Sequence, residues 1–113
     1  MAARKLNKSE WEPALDALSH ELESDEAEIE IASATLGLQT QTEWVPLIGL
    51  TYDPEDDLVE VALEGLDHLI HHPREIYFDT VGDDLLSVLV VDSEGQKQIM
   101  RFREPLALPA GEA

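Results

Sequence analysis

Glu28-Ile29-Glu30-Ile31 is the stretch on which the fold turns. Acids and isoleucines alternate there with a period of two, so one side is apolar and the other charged, as in a half-buried strand. Just upstream the period is different. Across residues 9–22, SEWEPALDALSHEL, the residues Trp11, Ala14, Leu15, Leu18 and Leu22 recur every three or four positions and stack on one helical face. Ser9 and Glu12 have capping-box spacing, early Glu10 and Glu12 suit the positive end of the helix dipole, and Pro13 sits where a first-turn donor is dispensable. Ser24 and Asp25 end the pattern. A helix handing over to strands is the expected order.

Downstream the strand signals continue. A strand is expected over 41–52, with Pro46 marking an edge position or a bulge because proline cannot donate to a ladder. Asp53-Pro54-Glu55-Asp56-Asp57 reads as a turn, and the strand over 57–64 puts Val59, Val61 and Leu63 on one face. Gly65 to Pro73, GLDHLIHHP, is short and closed by proline, so it is expected as one helical turn or a structured loop with Leu66, Leu69 and Ile70 inward. Strand 75–80 turns Ile76 and Phe78 inward and Glu75, Tyr77 and Asp79 outward. Strand 85–91, LLSVLVV, is apolar on both faces and should be central. Asp92-Ser93-Glu94-Gly95 makes a hairpin turn into strand 96–103, which carries Ile99, Met100 and Phe102; the tail after Pro105 is loose. The sum is an α+β plan: an N-terminal amphipathic helix (9–22), then about six mostly antiparallel strands (27–103), in a bent sheet or small open barrel. Residues 1–113 form a single domain, and an Sm-like or SH3-like roll is compatible on element order alone.

Composition narrows the function more by exclusion. The chain carries 25 Asp and Glu against 7 Lys and Arg, a net charge of −18, and no Cys. Disulfides, thiolate metal sites and cysteine nucleophiles are thereby absent. Direct binding of nucleic acid or an anionic membrane is disfavoured, since phosphate contacts need Lys and Arg. No apolar run approaches a membrane span and MAARKLNKSEWEP is not a secretory leader, so a cytoplasmic protein is expected. Between Lys8 and Arg74 lie 17 acids and not one Lys or Arg, so most carboxylates lack a local cation. Three explanations compete: adaptation to concentrated salt, complementarity to a basic partner, and an ordinary acidic surface.

The candidate sites are few. In a helical turn, His68, His71 and His72 would share a face, with Asp67 to orient or ligate, which is zinc, nickel or copper chemistry. The plain alternative is a solvent-facing polar turn, and the Glu a zinc-peptidase helix needs after its first His is missing. The acids of 53–57 do not match a calcium loop and read as a hydrated turn. Ser19 and Ser87 have no base positioned by sequence, and His20 suits a helix C-terminus. Arg101 and Arg103 share a strand face, where they pair with carboxylates such as Glu75 or Asp79 or hold an anion. Trp11 fills core; Trp44, beside Pro46, is core or the partner-binding candidate on an edge strand.

Three segments, SEWEPALDALS, EWVPLIGLTYDPEDDLVEVALEGLDHLIHHPREIY and RFREPLALP, resemble a family of small prokaryotic proteins catalogued as a domain of unknown function, number 5335. The resemblance spans about residues 4–109 and implies one compact domain, without catalytic, cofactor-binding or metal-binding residues to carry over. The expected function is a non-enzymatic interaction or accessory module with no cofactor, engaging a basic protein or forming a homodimer through an edge strand. The alternative is a small metal-binding protein or metal-dependent enzyme using His68, His71 and His72.

Overall fold

The computed structural model describes residues 2–22, 26–33 and 37–107. In chain order these form β1 (Ala2–Lys5), a 3-10 turn (Lys8–Glu10), α1 (Trp11–His20), β2 (Glu26–Ser33), β3 (Gly37–Asp53), β4 (Leu58–Leu63), β5 (Leu66–His71), β6 (Pro73–Val81), β7 (Asp84–Asp92) and β8 (Lys97–Ala107). The strands make one sheet in the order β1-β6-β7-β8-β2-β3-β4-β5, with every neighbouring pair antiparallel. Its two ends, β1 and β5, are not paired to each other, so the sheet is open.

It is also folded over on itself. In a flat sheet β5 and β8 would stand about 19 Å apart, four strand spacings. Yet His68 on β5 lies 2.6 Å from Gln98 on β8. Two places carry the chain between the halves. One is the 17-residue β3, whose first part pairs with β2 and whose last part pairs with β4. Register shifts flank Pro46 on both sides, so the proline stands at a bulge, as its missing donor requires. The other is His72, the single residue between β5 and β6, which takes a left-handed φ of 54°.

Inside the fold-over lie Leu50, Tyr52, Val59, Val61, Leu63 and Ile70 from one half, and Ile76, Phe78, Val88, Val90, Met100 and Phe102 from the other. α1 adds Trp11, Ala14, Leu15 and Leu18 from its apolar face. Beyond Pro46 the strand β3 has lost β2 as a neighbour, and α1 takes over that side. Ser19 Oγ donates to Leu50 O at 2.6 Å and accepts from Leu50 N at 2.9 Å, so one hydroxyl stands in for a ladder partner.

Several expectations need correction. There are eight strands among the described residues rather than about six, and the helix is neither first nor as long as 9–22: β1 precedes it and it covers Trp11–His20. The capping pattern begins two residues earlier than expected, with Asn7 N donating to the Glu10 carboxylate at 2.9 Å. That bond, with the nearby Arg4 guanidinium, holds Glu10 below the usual carboxylate range. Residues 66–71 are a strand, not a helical turn; Ile70 is inward, whereas Leu66 (50 % exposed) and Leu69 (43 %) are not. β3 is interior in the strand order, yet among the described residues its first part, which holds Trp44 and Pro46, pairs with β2 alone and β4 joins only from Leu47, so the expected edge position holds locally there. The last strand runs on to Ala107; the rest of the expected tail, 108–113, lies outside the described residues, as do Ser24, Asp25 and the side chains of Glu30 and Ile31. The expectations for 57–64, 75–80 and 85–91, and for the Asp92–Gly95 turn with Gly95 at φ 82°, agree with the structure.

Candidate interaction surface

Because 66–71 is extended, its side chains alternate, and His68 and His71 fall on opposite faces of β5. His68 faces inward and half-buried, its Nε2 2.6 Å from Gln98 Oε1. A carbonyl oxygen only accepts, so His68 carries its proton on Nε2. Gln98 passes the chain of bonds on, donating from Nε2 to Asp92 Oδ2 at 2.9 Å, and Asp92 Oδ1 accepts from Glu94 N and Gln96 N. Gln98 and Asp92 are both buried. His68–Gln98–Asp92 thus joins β5 to the β7–β8 hairpin through a continuous line of hydrogen bonds. His71 is exposed, and His72 Nδ1 lies 3.3 Å from Asp57 Oδ2. The shared helical face assumed for His68, His71 and His72 does not form. Among the described residues no three His, Asp or Glu side chains gather in a metal-holding group.

Within the acidic turn, Asp53 turns its carboxylate onto the backbone and Asp57 turns its own onto Tyr52 and His72. Asp53 Oδ1 accepts from Glu55 N at 2.9 Å, closing an Asx turn. Asp57, at a left-handed φ of 50°, accepts from Tyr52 Oη at 2.8 Å, and its carbonyl accepts from His72 N at 2.9 Å. The Tyr52 hydroxyl is the main reason that the Asp57 carboxyl is held below its ordinary range, with His72 adding to it. Burial, then the same bond to Asp57, pushes the Tyr52 phenol up to about 12. Trp11 packs edge-on to Tyr52 at 5.1 Å, and Lys8 lies over the Trp11 ring at 5.7 Å. A phenol so hard to ionise is a poor base near neutrality. Tyr52, Asp57 and His72 pin the corner where the chain changes halves.

The outer face of β6, β7 and β8 holds a shallow groove of about 380 Å³ floored by Tyr77, Leu89 and Ile99. Asp79, Ser87 and Arg101 stand in one register row at its side. Glu75 is engaged by the Tyr77 hydroxyl at 2.9 Å and by Lys5 at 3.6 Å, which lowers its carboxyl and raises the Tyr77 phenol. Arg103 pairs with Glu26 of β2 at 2.8 Å, not with Glu75 or Asp79. Ser87 is buried in its row; Ser19 serves the β3 backbone, and His20 ends α1.

Trp11 is core, as expected, whereas Trp44 is 38 % exposed and Ile48, four residues on, 64 % exposed. Pro46 lies between them, at the bulge where β3 leaves β2 for β4. Sequence alone marks Trp44 but not Ile48, because the register shift at Leu47/Gly49 breaks the alternation by which its exposure could be read.

The profile of a family of unknown function, DUF5335, matches residues 2–111, nearly the whole chain. The chain belongs to this family. An uncharacterised protein from Aquifex aeolicus (strain VF5) is similar to it, 39 % identical over 110 residues, which are 96 % of this chain and 99 % of the relative. No solved structure matches the chain. Within the described residues no helix is long and apolar enough to cross a membrane. The DUF5335 match agrees with the resemblance carried by the three quoted segments.

Proposed function

We propose that this DUF5335 chain is a non-enzymatic, cytoplasmic interaction module that docks a protein with a basic or mixed-charge face along β3 around Trp44. One observation carries the reading: Trp44 and Ile48 are exposed on a strand that otherwise feeds the core with Leu47, Leu50 and Tyr52, and Trp44 lies in the part of it that pairs with β2 alone. Large apolar side chains beside a proline bulge offer a partner desolvated area that the fold itself leaves unused. The net charge of −18 gives such a partner long-range attraction, strongest at low ionic strength.

Affinity capture with purified protein tests this in rising KCl. Basic proteins should be retained at low salt and released as salt rises, and Trp44→Ala should lose them while keeping the wild-type melting temperature. Recovery of only neutral or acidic proteins, indifferent to salt and to Trp44→Ala, overturns the reading. If the charge is instead salt adaptation, the melting temperature climbs from millimolar to molar KCl more steeply than that of a less acidic control.

A further inference from the structure

We infer that β5 is a self-complementary edge, onto which the β5 of a second copy of this chain adds antiparallel with Leu69 opposite Leu69. β5 is the last strand of the sheet, and among the described residues no strand pairs with its outer side. Edges are ordinarily blunted by Lys, Pro, bulges or shortness. β5, LDHLIH, has no Lys, Pro or bulge over six residues, carries one exposed charge, Asp67, and exposes Leu66 and Leu69.

The phase of its free main-chain groups follows from two independent bonds. The β4–β5 register, Leu58↔His71 through Leu63↔Leu66, extends to Asp57↔His72, and His72 N donates to Asp57 O at 2.9 Å. Bonded and non-bonded pairs alternate along an antiparallel ladder. Ile70, His68 and Leu66 therefore bond towards β4. The opposite flank of β4 agrees: Leu50, in register with Val61, gives its N–H and C=O to Ser19, so Val61 is left to bond His68. Asp67, Leu69 and His71 then turn their N–H and C=O groups to the open edge.

A two-fold axis through the edge at Leu69 uses all of these groups. It sets Leu69 against Leu69, and Asp67 of one copy against His71 of the other, at both ends. Each pair exchanges main-chain bonds, and each lies on the same outer sheet face. The side chains match: an apolar pair in the middle, flanked by a carboxylate facing an imidazole N–H on either side. Moving the axis to His68 would oppose Asp67 to Leu69 and lose that match. The Asp67-x-Leu69-x-His71 pattern is thus its own complement in this one register. It supplies local attraction between copies whose overall charge repels, so association is expected to strengthen with salt.

Sedimentation velocity from micromolar to millimolar protein in molar KCl is the test. A monomer–dimer equilibrium is expected, abolished by Leu69→Lys, with circular dichroism and melting temperature checking that the variant folds. The charge swap supplies a readout that does not depend on Leu69. His71→Asp, which opposes carboxylate to carboxylate, should weaken the dimer about tenfold or more, and Asp67→His/His71→Asp should restore it. A monomer at every concentration overturns the inference. So does a dimer that tolerates Leu69→Lys, or one that His71→Asp weakens and the double variant does not rescue.

Discussion

The two halves of the folded-over sheet are held by different means. In β1-β6-β7-β8-β2, apolar residues meet across successive strands: Ile76 against Val90, and Phe78 against Val88 against Met100. The last part of β3, with β4 and β5, is only three strands wide, and a ribbon that narrow is marginal alone. It is fastened to the rest by specific polar links: Ser19 on Leu50, His68 on Gln98 and Asp92, and Asp57 on His72 at the corner. Where a sheet cannot supply a neighbour, single hydrogen bonds do the joining, and those at least partly withdrawn from water, on Leu50 and on Gln98, matter more than a surface contact. The halves also end differently. β1 has four residues, of which Arg4 pairs with Glu10 and Lys5 with Glu75, whereas β5 has no outer strand among the described residues and exposes its leucines.

The largest effect should come from the residue on which both kinds of link converge. Leu50→Ala empties a fully buried position in the narrow half and should cost about 2–5 kcal/mol in urea unfolding. Native-state hydrogen exchange should then show the amides of β4 and β5 opening before those of β7. Uniform exchange across both halves breaks the comparison. Ser19→Ala is next. It leaves the N–H and C=O of Leu50 without their partner, and about 1–3 kcal/mol should be lost although only one oxygen is removed. A loss below a few tenths of a kcal/mol would mean that α1 is not a substitute strand.

Tyr52→Phe should follow, at about 1–2 kcal/mol, and its pH dependence carries the sign. The folded phenol titrates at about 12 against 10.0 unfolded, so the unfolded chain releases its proton first and wild-type stability falls as pH rises from 10 to 12. The Phe variant should lose most of that slope, keeping the share of Tyr77, whose phenol is raised by Glu75. On the acid side, Asp57 is held below its ordinary range chiefly by the Tyr52 hydroxyl. It therefore contributes stability above the usual carboxylate range, lost as pH falls through its depressed folded value. Tyr52→Phe should flatten this acid limb as well, by urea midpoints across pH.

Legibility in the sequence tracks locality. Val59, Val61 and Leu63, or Asp92 to Gly95, announce themselves because period and turn chemistry are settled within a few residues. Residues 65–73 mislead for a physical reason. Leu66, Leu69 and Ile70 have helical spacing and stand between Gly65 and Pro73, whereas what makes them a strand is the bonding need of β4 and the left-handed turn at His72. β1, AARK, has no period to read and exists because β6 offers it a ladder. Of the polar links, His68 and Gln98 are 30 residues apart and no spacing joins them. One clue was present: Gln98 shares the parity of Met100 and Phe102, a polar residue in a core register. Trp44 could be named, but whether it was packed or exposed depended on the bulge at Pro46, which the sequence marked without fixing its direction.

The smallest effect closes the series from the other side. Arg103 and Glu26 join β8 to β2 at 2.8 Å, geometrically as good as Ser19 on Leu50. Their side chains are 59 % and 36 % exposed, so water competes for both and the desolvation that makes a lost partner expensive is missing. The half they lie in is already held by the β2–β8 ladder, in which Ala27 faces Phe102 and Ile29 faces Met100. Arg103→Ala should therefore cost between nothing and about 1 kcal/mol at low salt, and the difference from wild type should vanish in molar KCl. Paired with Ser19→Ala under the same conditions, it isolates burial from bond length. Equal losses would mean that distance alone sets the strength of these links, and the distinction between the two halves would go with it.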